Sequence, residues 1–353
     1  MIDLLPWHHQ FWKNLNERKE RGQLPHALMF TGPGGIGKNQ FADLFARGLL
    51  CKQPTPAGFP CGECRGCQLT QAQTHPDIRW VMPPVEEEEE AISADQIREI
   101  PRRNRNFGTI TKGKVIGVDQ IREIIRFLSL KSQYGGYKLV IISPADKMNI
   151  NAANSLLKIL EEPPAETVLI LITERPARLP ATIRSRCQKI SFTKPSTEIA
   201  LDWIRDKLDR QHEPSLYLEL AEGAPLSALK IAAGDYLGQR MALLGDMEKI
   251  TGGKSDPVLI AGKWLKFGAK ESLYWVYSWL VDMVRMKMAD HPPLVANPDI
   301  RERLLEMAQN QSTTQLFGRL DRVTRALQLS DTQVNGQLLL EEIFLGWAPK
   351  QIS

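Results

Sequence analysis

Ala27-Leu28-Met29-Phe30-Thr31-Gly32-Pro33-Gly34-Gly35-Ile36-Gly37-Lys38-Asn39 decides the fold. The first residues are an apolar run without polar alternation. The next are rich in glycine. Phe41, Leu44, Phe45 and Leu49 then recur at helical spacing. That order is strand, loop, helix. Gly32-x-x-x-x-Gly37-Lys38 matches a phosphate-binding loop. Its glycines let backbone N–H groups converge on an anion, and the helix start adds its positive dipole end. Lys38 would reach the outer phosphates. The motif normally continues with a Ser or Thr that holds Mg²⁺, and here Asn39 stands in that place.

Two more apolar runs lie downstream. Lys138–Ile142 and Val168–Ile172 read as buried strands, with a helix from Asn149 to Glu162 stopped by Pro163-Pro164. Buried strands alternating with helices indicate a parallel sheet covered on both faces, so the first 190 or so residues form an α/β domain. After Pro195 the pattern becomes helical. The expected division is a loop-bearing α/β domain over 1–192, a small helical lid over 193–237 and an all-helical domain over 238–353. Trp264, Trp275, Trp279 and Trp347 are expected in the core of the last part, and Gly234 and Gly252-Gly253 mark breaks.

Hydrolysis of a nucleotide needs an acidic pair at the end of the second strand, to orient Mg²⁺ and water. Ser143 and Pro144 occupy those positions. Asp146 comes three residues late and is expected to cap the next helix or face solvent. The loop keeps the shape of a nucleotide motor without its chemistry, and ATP binding at Lys38 is left open.

Cys51, Cys61, Cys64 and Cys67 put four thiols into 17 residues. Four thiolates complete a tetrahedral Zn²⁺ with no open position, so the expected site (51–67) is structural. An iron–sulfur cluster and free thiols are the alternatives. His75 reads as a turn residue before Pro76, and Cys187 as a small buried side chain.

With 353 residues the chain is too long for one core. Its 45 basic and 41 acidic residues give +4, which lacks the strong basic bias of a dedicated nucleic-acid binder. Met1–His9 lacks the basic and apolar regions of a signal peptide. Leu273–Val284, the most apolar stretch, is broken by Asp282 and Arg285, well short of the roughly 20 residues a span needs. A cytoplasmic protein without a membrane segment is expected. One stretch stands apart, a variable insertion over about 85–115. It holds the acidic run Glu86–Glu90, a set of six basic residues between Arg98 and Lys114, and Asp95–Ile100, whose sequence recurs as Asp119–Ile124. It reads as a solvated surface insertion, or else as a basic DNA-contacting loop.

Asn154–Pro164 (NSLLKILEEPP) and Thr182–Cys187 (TIRSRC) resemble the signatures of the AAA+ clamp-loader family. A four-cysteine module shortly after the phosphate loop is similar to the bacterial members. Pro25-His26-Ala27 and Thr74–Asp77 fit as well, and the resemblance covers about residues 1–240. It implies an AAA+ domain, a lid and a helical collar. It also implies a five-subunit ring with three ATPase subunits of the gamma/tau type and a delta subunit, which places a sliding clamp on primed DNA. In that family the Ser-Arg-Cys segment supplies an arginine finger in trans, and Arg186 holds that position here. Thr173 ends the strand where the family places its first sensor. Leu226 stands where the second sensor arginine would be. With Asn39, Ser143 and Pro144, the chain's own site is degraded while its finger is kept. A self-sufficient ATPase resting on Lys38 is the alternative. A zinc-finger DNA-binding protein is a third, although Lys52 and Arg65 are the module's few basic residues.

Overall fold

The computed structural model describes residues 3–84, 115–209, 213–289, 292, 295–309, 311–330, 332 and 334–349. The acidic run Glu86–Glu90, the Asp95–Ile100 copy and the basic residues from Arg98 to Lys114 lie outside them. The chain divides into two compact units, Met1–Ile199 and Ala200–Ser353.

The first unit opens with α1 (His9–Glu20), then β1 (Ala27–Thr31) and α2 (Lys38–Leu50). There follow α3 (Arg65–Gln71), β2 (Ile78–Val81), α4 (Val118–Ser129), β3 (Lys138–Ile142), α5 (Ile150–Glu161), β4 (Thr167–Thr173), α6 (Ala181–Arg184) and β5 (Gln188–Ser191). The five strands are all parallel, in the order β2-β3-β4-β1-β5. β1, β3 and β4 are buried along their whole length. A strand covered on both faces has no polar face to alternate, which is why all three read as continuous apolar runs.

The expected strands over 138–142 and 168–172 and the expected helix over 149–162 match β3, β4 and α5 to within a residue. Asn149 is the N-cap of α5, its side chain accepting from the Ala152 N–H. The sequence reading missed β2 and β5. Asp119–Ile124 lies in α4, with Ile121 and Ile124 in the sheet-covering core.

The second unit is helical. The end of α7 (Thr197–Arg205) joins α8 (Pro214–Leu220) and α9 (Pro225–Ala233) around a small core of Ala200, Ile204, Tyr217, Leu218 and Ala228. A larger core is built by α10 (Tyr236–Thr251), α11 (Pro257–Leu265), α12 (Ala269–Met288), α13 (Arg301–Gln309), α14 (Thr313–Leu329) and α15 (Gly336–Leu345). It contains all four tryptophans expected there. Two charged residues inside it are well paired. The Asp282 carboxylate, fully buried, accepts from the Ala296 N–H at 3.1 Å and from the Asn297 N–H and Nδ2 at 2.8 Å each. Arg240 donates to Asp299 at 2.6 Å and to Asn297 at 2.7 Å. Both pin the turn ahead of α13 against the helices. Among the described residues no helix is long and apolar enough to cross a membrane.

Candidate functional site

All five strands run the same way, so their C-terminal ends share one edge of the sheet, where open α/β sheets place ligands. Register then brings three segments together. Thr31 pairs with Thr173, and Ile142 with Leu171. The loop after β1, Ser143 after β3 and Thr173 at the end of β4 are therefore neighbours.

The loop has the backbone of a phosphate cradle. Gly32 has φ 142°, and a Cβ there would come within 2.2 Å of the Phe192 carbonyl oxygen. Gly37 caps α2 with φ 89°. Only glycine fits the first position, and the second favours it strongly.

The side chains around the loop are already bonded to one another. Lys38 is 6% exposed, and its ammonium donates to the carbonyls of Gly32, at 2.9 Å, and Pro33. Burial lowers the Lys38 pKa below the ordinary lysine range, while the carboxylates of Glu174 and Asp146 act to raise it. The Ser143 hydroxyl donates to Asn39 Oδ1 at 2.8 Å, so the two residues that replace metal-holding groups bond each other. Asp146 neither caps α5 nor points free into solvent as expected. Its Oδ1 accepts from the Thr173 hydroxyl at 2.5 Å, because β4 lies beside β3. Thr173 Oγ1 in turn accepts from the Arg175 N–H at 3.0 Å. Asn39 and Ser143 stand where such a motif holds Mg²⁺, and neither carries a carboxylate. Trp7 Nε1 covers the loop from the other side, donating to the Ile36 carbonyl at 2.9 Å. Its neighbour His8 is packed among Phe11, Phe41 and Phe192, and burial pushes it down to about 4.

α2 leads from Lys38 straight to Cys51, its C-cap. The sulfurs of Cys51, Cys61, Cys64 and Cys67 all lie within 4.8 Å of one another. Cys51 and Cys64 are 3.8 Å apart, as are Cys61 and Cys67. A tetrahedral Zn²⁺ with bonds of about 2.3 Å sets its sulfurs about 3.8 Å apart, so the donors fit that ion. Backbone N–H groups of Cys61, Cys64 and Cys67 point at neighbouring sulfurs at 3.3–3.5 Å, which would stabilise thiolates. His75 is buried and not part of the cluster. Its Nδ1 accepts from the Asp77 N–H at 3.1 Å, the turn expected before Pro76. Asp77, quoted in the sequence only as the end of the Thr74–Asp77 motif, has a carboxylate that accepts from Ser132 Oγ and from the N–H groups of Gln133 and Tyr134, each at 2.9 Å.

Arg186 follows α6, just ahead of β5. Its side chain is 35% exposed and pairs with Glu161 at 2.7 Å, with a second bond to the Thr182 carbonyl at 3.1 Å. Glu161 belongs to the quoted LEEPP segment, so two separate motifs meet in this pair. Cys187 beside it is buried, with a thiol pushed up to about 11 by that burial. Leu226 is buried on α9.

A family model described as DNA polymerase III, delta subunit, matches residues 7–196, and one described as its C-terminal part matches residues 235–348. The DNA polymerase III subunit delta prime of Pseudomonas aeruginosa is 31% identical over 99% of this chain and 98% of that protein. The chain belongs to the DNA polymerase III delta prime family. The delta prime subunit of Escherichia coli is likewise 31% identical, over 96% of this chain and 94% of that protein. A gamma-subunit-related protein of Thermotoga maritima, known from its crystal structure, aligns with a TM-score of 0.45 at 19% identity, covering 94% of this chain and 97% of that one. The delta prime family match thus spans both the loop-bearing unit and most of the helical one.

Proposed function

We propose that this chain is the non-catalytic delta prime subunit of a DNA polymerase III clamp loader. It works in a hetero-pentamer with delta and gamma/tau subunits and helps to place the sliding clamp on primed DNA. Its own loop does not turn over ATP. Its contribution to hydrolysis is Arg186, offered in trans to the nucleotide of a neighbouring ATPase subunit, where a guanidinium offsets charge developing in the transition state. Residues 1–192 are the AAA+ domain, 193–237 the lid and 238–353 the collar. The metal in the cysteine module is structural Zn²⁺.

One observation carries this reading. The Asn39–Ser143 hydrogen bond closes the chain's own metal position, while Arg186 lies at the surface, tied only by bonds that a partner can replace. An exposed ion pair of this kind is worth only about 0–1 kcal/mol, so releasing Arg186 from Glu161 costs little. The collar assignment is supported by Leu259, Leu338 and Leu345, which are 73%, 59% and 54% exposed on α11 and α15, two helices that pack on each other. Apolar surface of this kind suits burial against neighbouring subunits.

The test is Arg186→Ala in the reconstituted complex. DNA-stimulated ATP hydrolysis should fall by about tenfold or more with the complex still assembled. Unchanged hydrolysis at saturating clamp and DNA would rule the finger out. The rival reading, a self-sufficient ATPase, requires the purified chain to hydrolyse ATP alone in a manner abolished by Lys38→Ala.

A further inference from the structure

The loop around Lys38 has a cradle's backbone, yet its lysine is already bonded to the loop's own carbonyls. The reason centres on a residue that neither the loop motif nor the finger motif contains. Glu174 follows Thr173, and β4 is hydrogen-bonded to β1 with Thr173 opposite Thr31. The residue after each strand therefore emerges beside the other, and Glu174 is delivered to the loop by register alone. Its carboxylate lies on the bare face of Gly34. A Cβ built on Gly34 would stand 2.6 Å from Glu174 Oε1, 3.2 Å from its Cδ and 3.4 Å from Oε2. A side chain at 34 would have to displace the acid.

Lys38 responds to the same group. Its donors are directed to the Gly32 and Pro33 carbonyls, and its charge is opposed from inside the protein by Glu174 and Asp146. Asp146 is held in place by the Thr173 hydroxyl. The negative charge that a phosphate-binding loop is shaped to receive is thus already supplied by the chain.

We propose that Glu174 is a built-in anion that keeps polyphosphate out of the Gly32–Lys38 loop. The proposal rests on reading that loop as a degenerate nucleotide site, and it names what excludes the ligand. Asn39 and Ser143 remove the metal position, but loss of a Mg²⁺ ligand alone leaves the cradle and its lysine able to hold phosphate. A carboxylate on the loop face repels a phosphate that approaches. Like charges a few ångströms apart near a protein surface weaken binding by about tenfold to a hundredfold. Because Glu174 is exposed and bears no packing role, its replacement leaves the fold intact.

The experiment is equilibrium dialysis of the full chain against ATP and against ADP, with Mg²⁺ and at fixed ionic strength. Four proteins are compared: the unaltered chain, Glu174→Gln, Glu174→Ala, and Glu174→Gln combined with Lys38→Ala. Glu174→Gln keeps the shape and removes the charge, so it should bind ATP at least about tenfold tighter than the unaltered chain. Glu174→Ala should gain at least as much. The gain should vanish when Lys38→Ala is added, because the lysine is the group that takes the phosphate. Equal affinity of the unaltered chain and both single variants, whether tight or undetectable, overturns the proposal. A gain that survives Lys38→Ala overturns it too, since the nucleotide would then sit elsewhere. None of these outcomes depends on ring assembly or on Arg186, so failure here is separable from failure of the trans finger.

Discussion

The Ser143 hydroxyl donates to Asn39 Oδ1 at 2.8 Å across 104 residues of sequence. Ser143 directly follows β3, and Asn39 lies in the first turn of α2, just after the phosphate loop. In a hydrolysing relative of the motif both positions would face a metal ion, and here they face each other. The bond is half-buried, with Ser143 only 4% exposed. Asn39→Ala and Ser143→Ala should each cost about 1 kcal/mol, because each breaks the bond, and the first leaves the buried Ser143 hydroxyl unpaired. The double variant should cost about as much as either alone. A double-mutant cycle on urea midpoints reads this directly, and strictly additive losses would show that the bond contributes nothing.

The cysteine module should bind one Zn²⁺ per chain. Cys67→Ser removes a buried ligand, and should release the metal and lower stability by about 2 kcal/mol or more, roughly 4–8 °C in Tm. Metal content by atomic absorption and melting by circular dichroism measure the two effects. A chain stripped by chelator that melts with the intact one would show that the module holds no structural ion.

His8 makes the first unit sensitive to acid. Burial lowers its folded pKa to about 4, below its ordinary 6.5. The unfolded chain therefore takes up a proton first as pH falls. The stabilisation from the neutral ring is complete above about pH 6.5 and is lost as pH falls towards about 4, by at most about 3 kcal/mol. His8→Phe keeps an aromatic ring among Phe11, Phe41 and Phe192, and should flatten this slope. Tm measured from pH 7 to pH 4 for both proteins tests it, and parallel curves would exclude His8 as the source.

In the helical unit, Asp282→Ala leaves the N–H groups of Ala296 and Asn297 without their acceptor. A loss of about 2–4 kcal/mol in that unit is expected, with Asp282→Asn losing less because one acceptor oxygen remains. Denaturant midpoints followed by tryptophan fluorescence report on it, since four tryptophans share this core.

What could be read in advance follows from how each element is buried. β1, β3 and β4 are enclosed on both faces, so their sequences carry continuous apolar runs. β5, Gln188-Lys189-Ile190-Ser191, is, among the described residues, an edge strand paired with β1 and exposed along most of its length, so no apolar run announces it. β2 is largely buried but only four residues long and interrupted by Arg79, too short to stand out as an apolar run. The cysteine cluster was legible because all four ligands sit within one short stretch. Asp146 was misread because its partner, Thr173, comes 27 residues later and arrives only through strand order. Glu161 and Glu174 were passed over for the same reason. Each stood in or beside a quoted segment, but what it touches is decided by a different part of the sheet.

α2 runs unbroken from Lys38 to Leu50 and hands over to Cys51. Thirteen helical residues make a rod about 20 Å long. Loop and cysteine knot are its two ends, and a tilt imposed at one is delivered to the other. A cobalt ion placed in the knot would thus serve as a distant gauge of the loop, registering its rearrangements without touching a single residue that forms it.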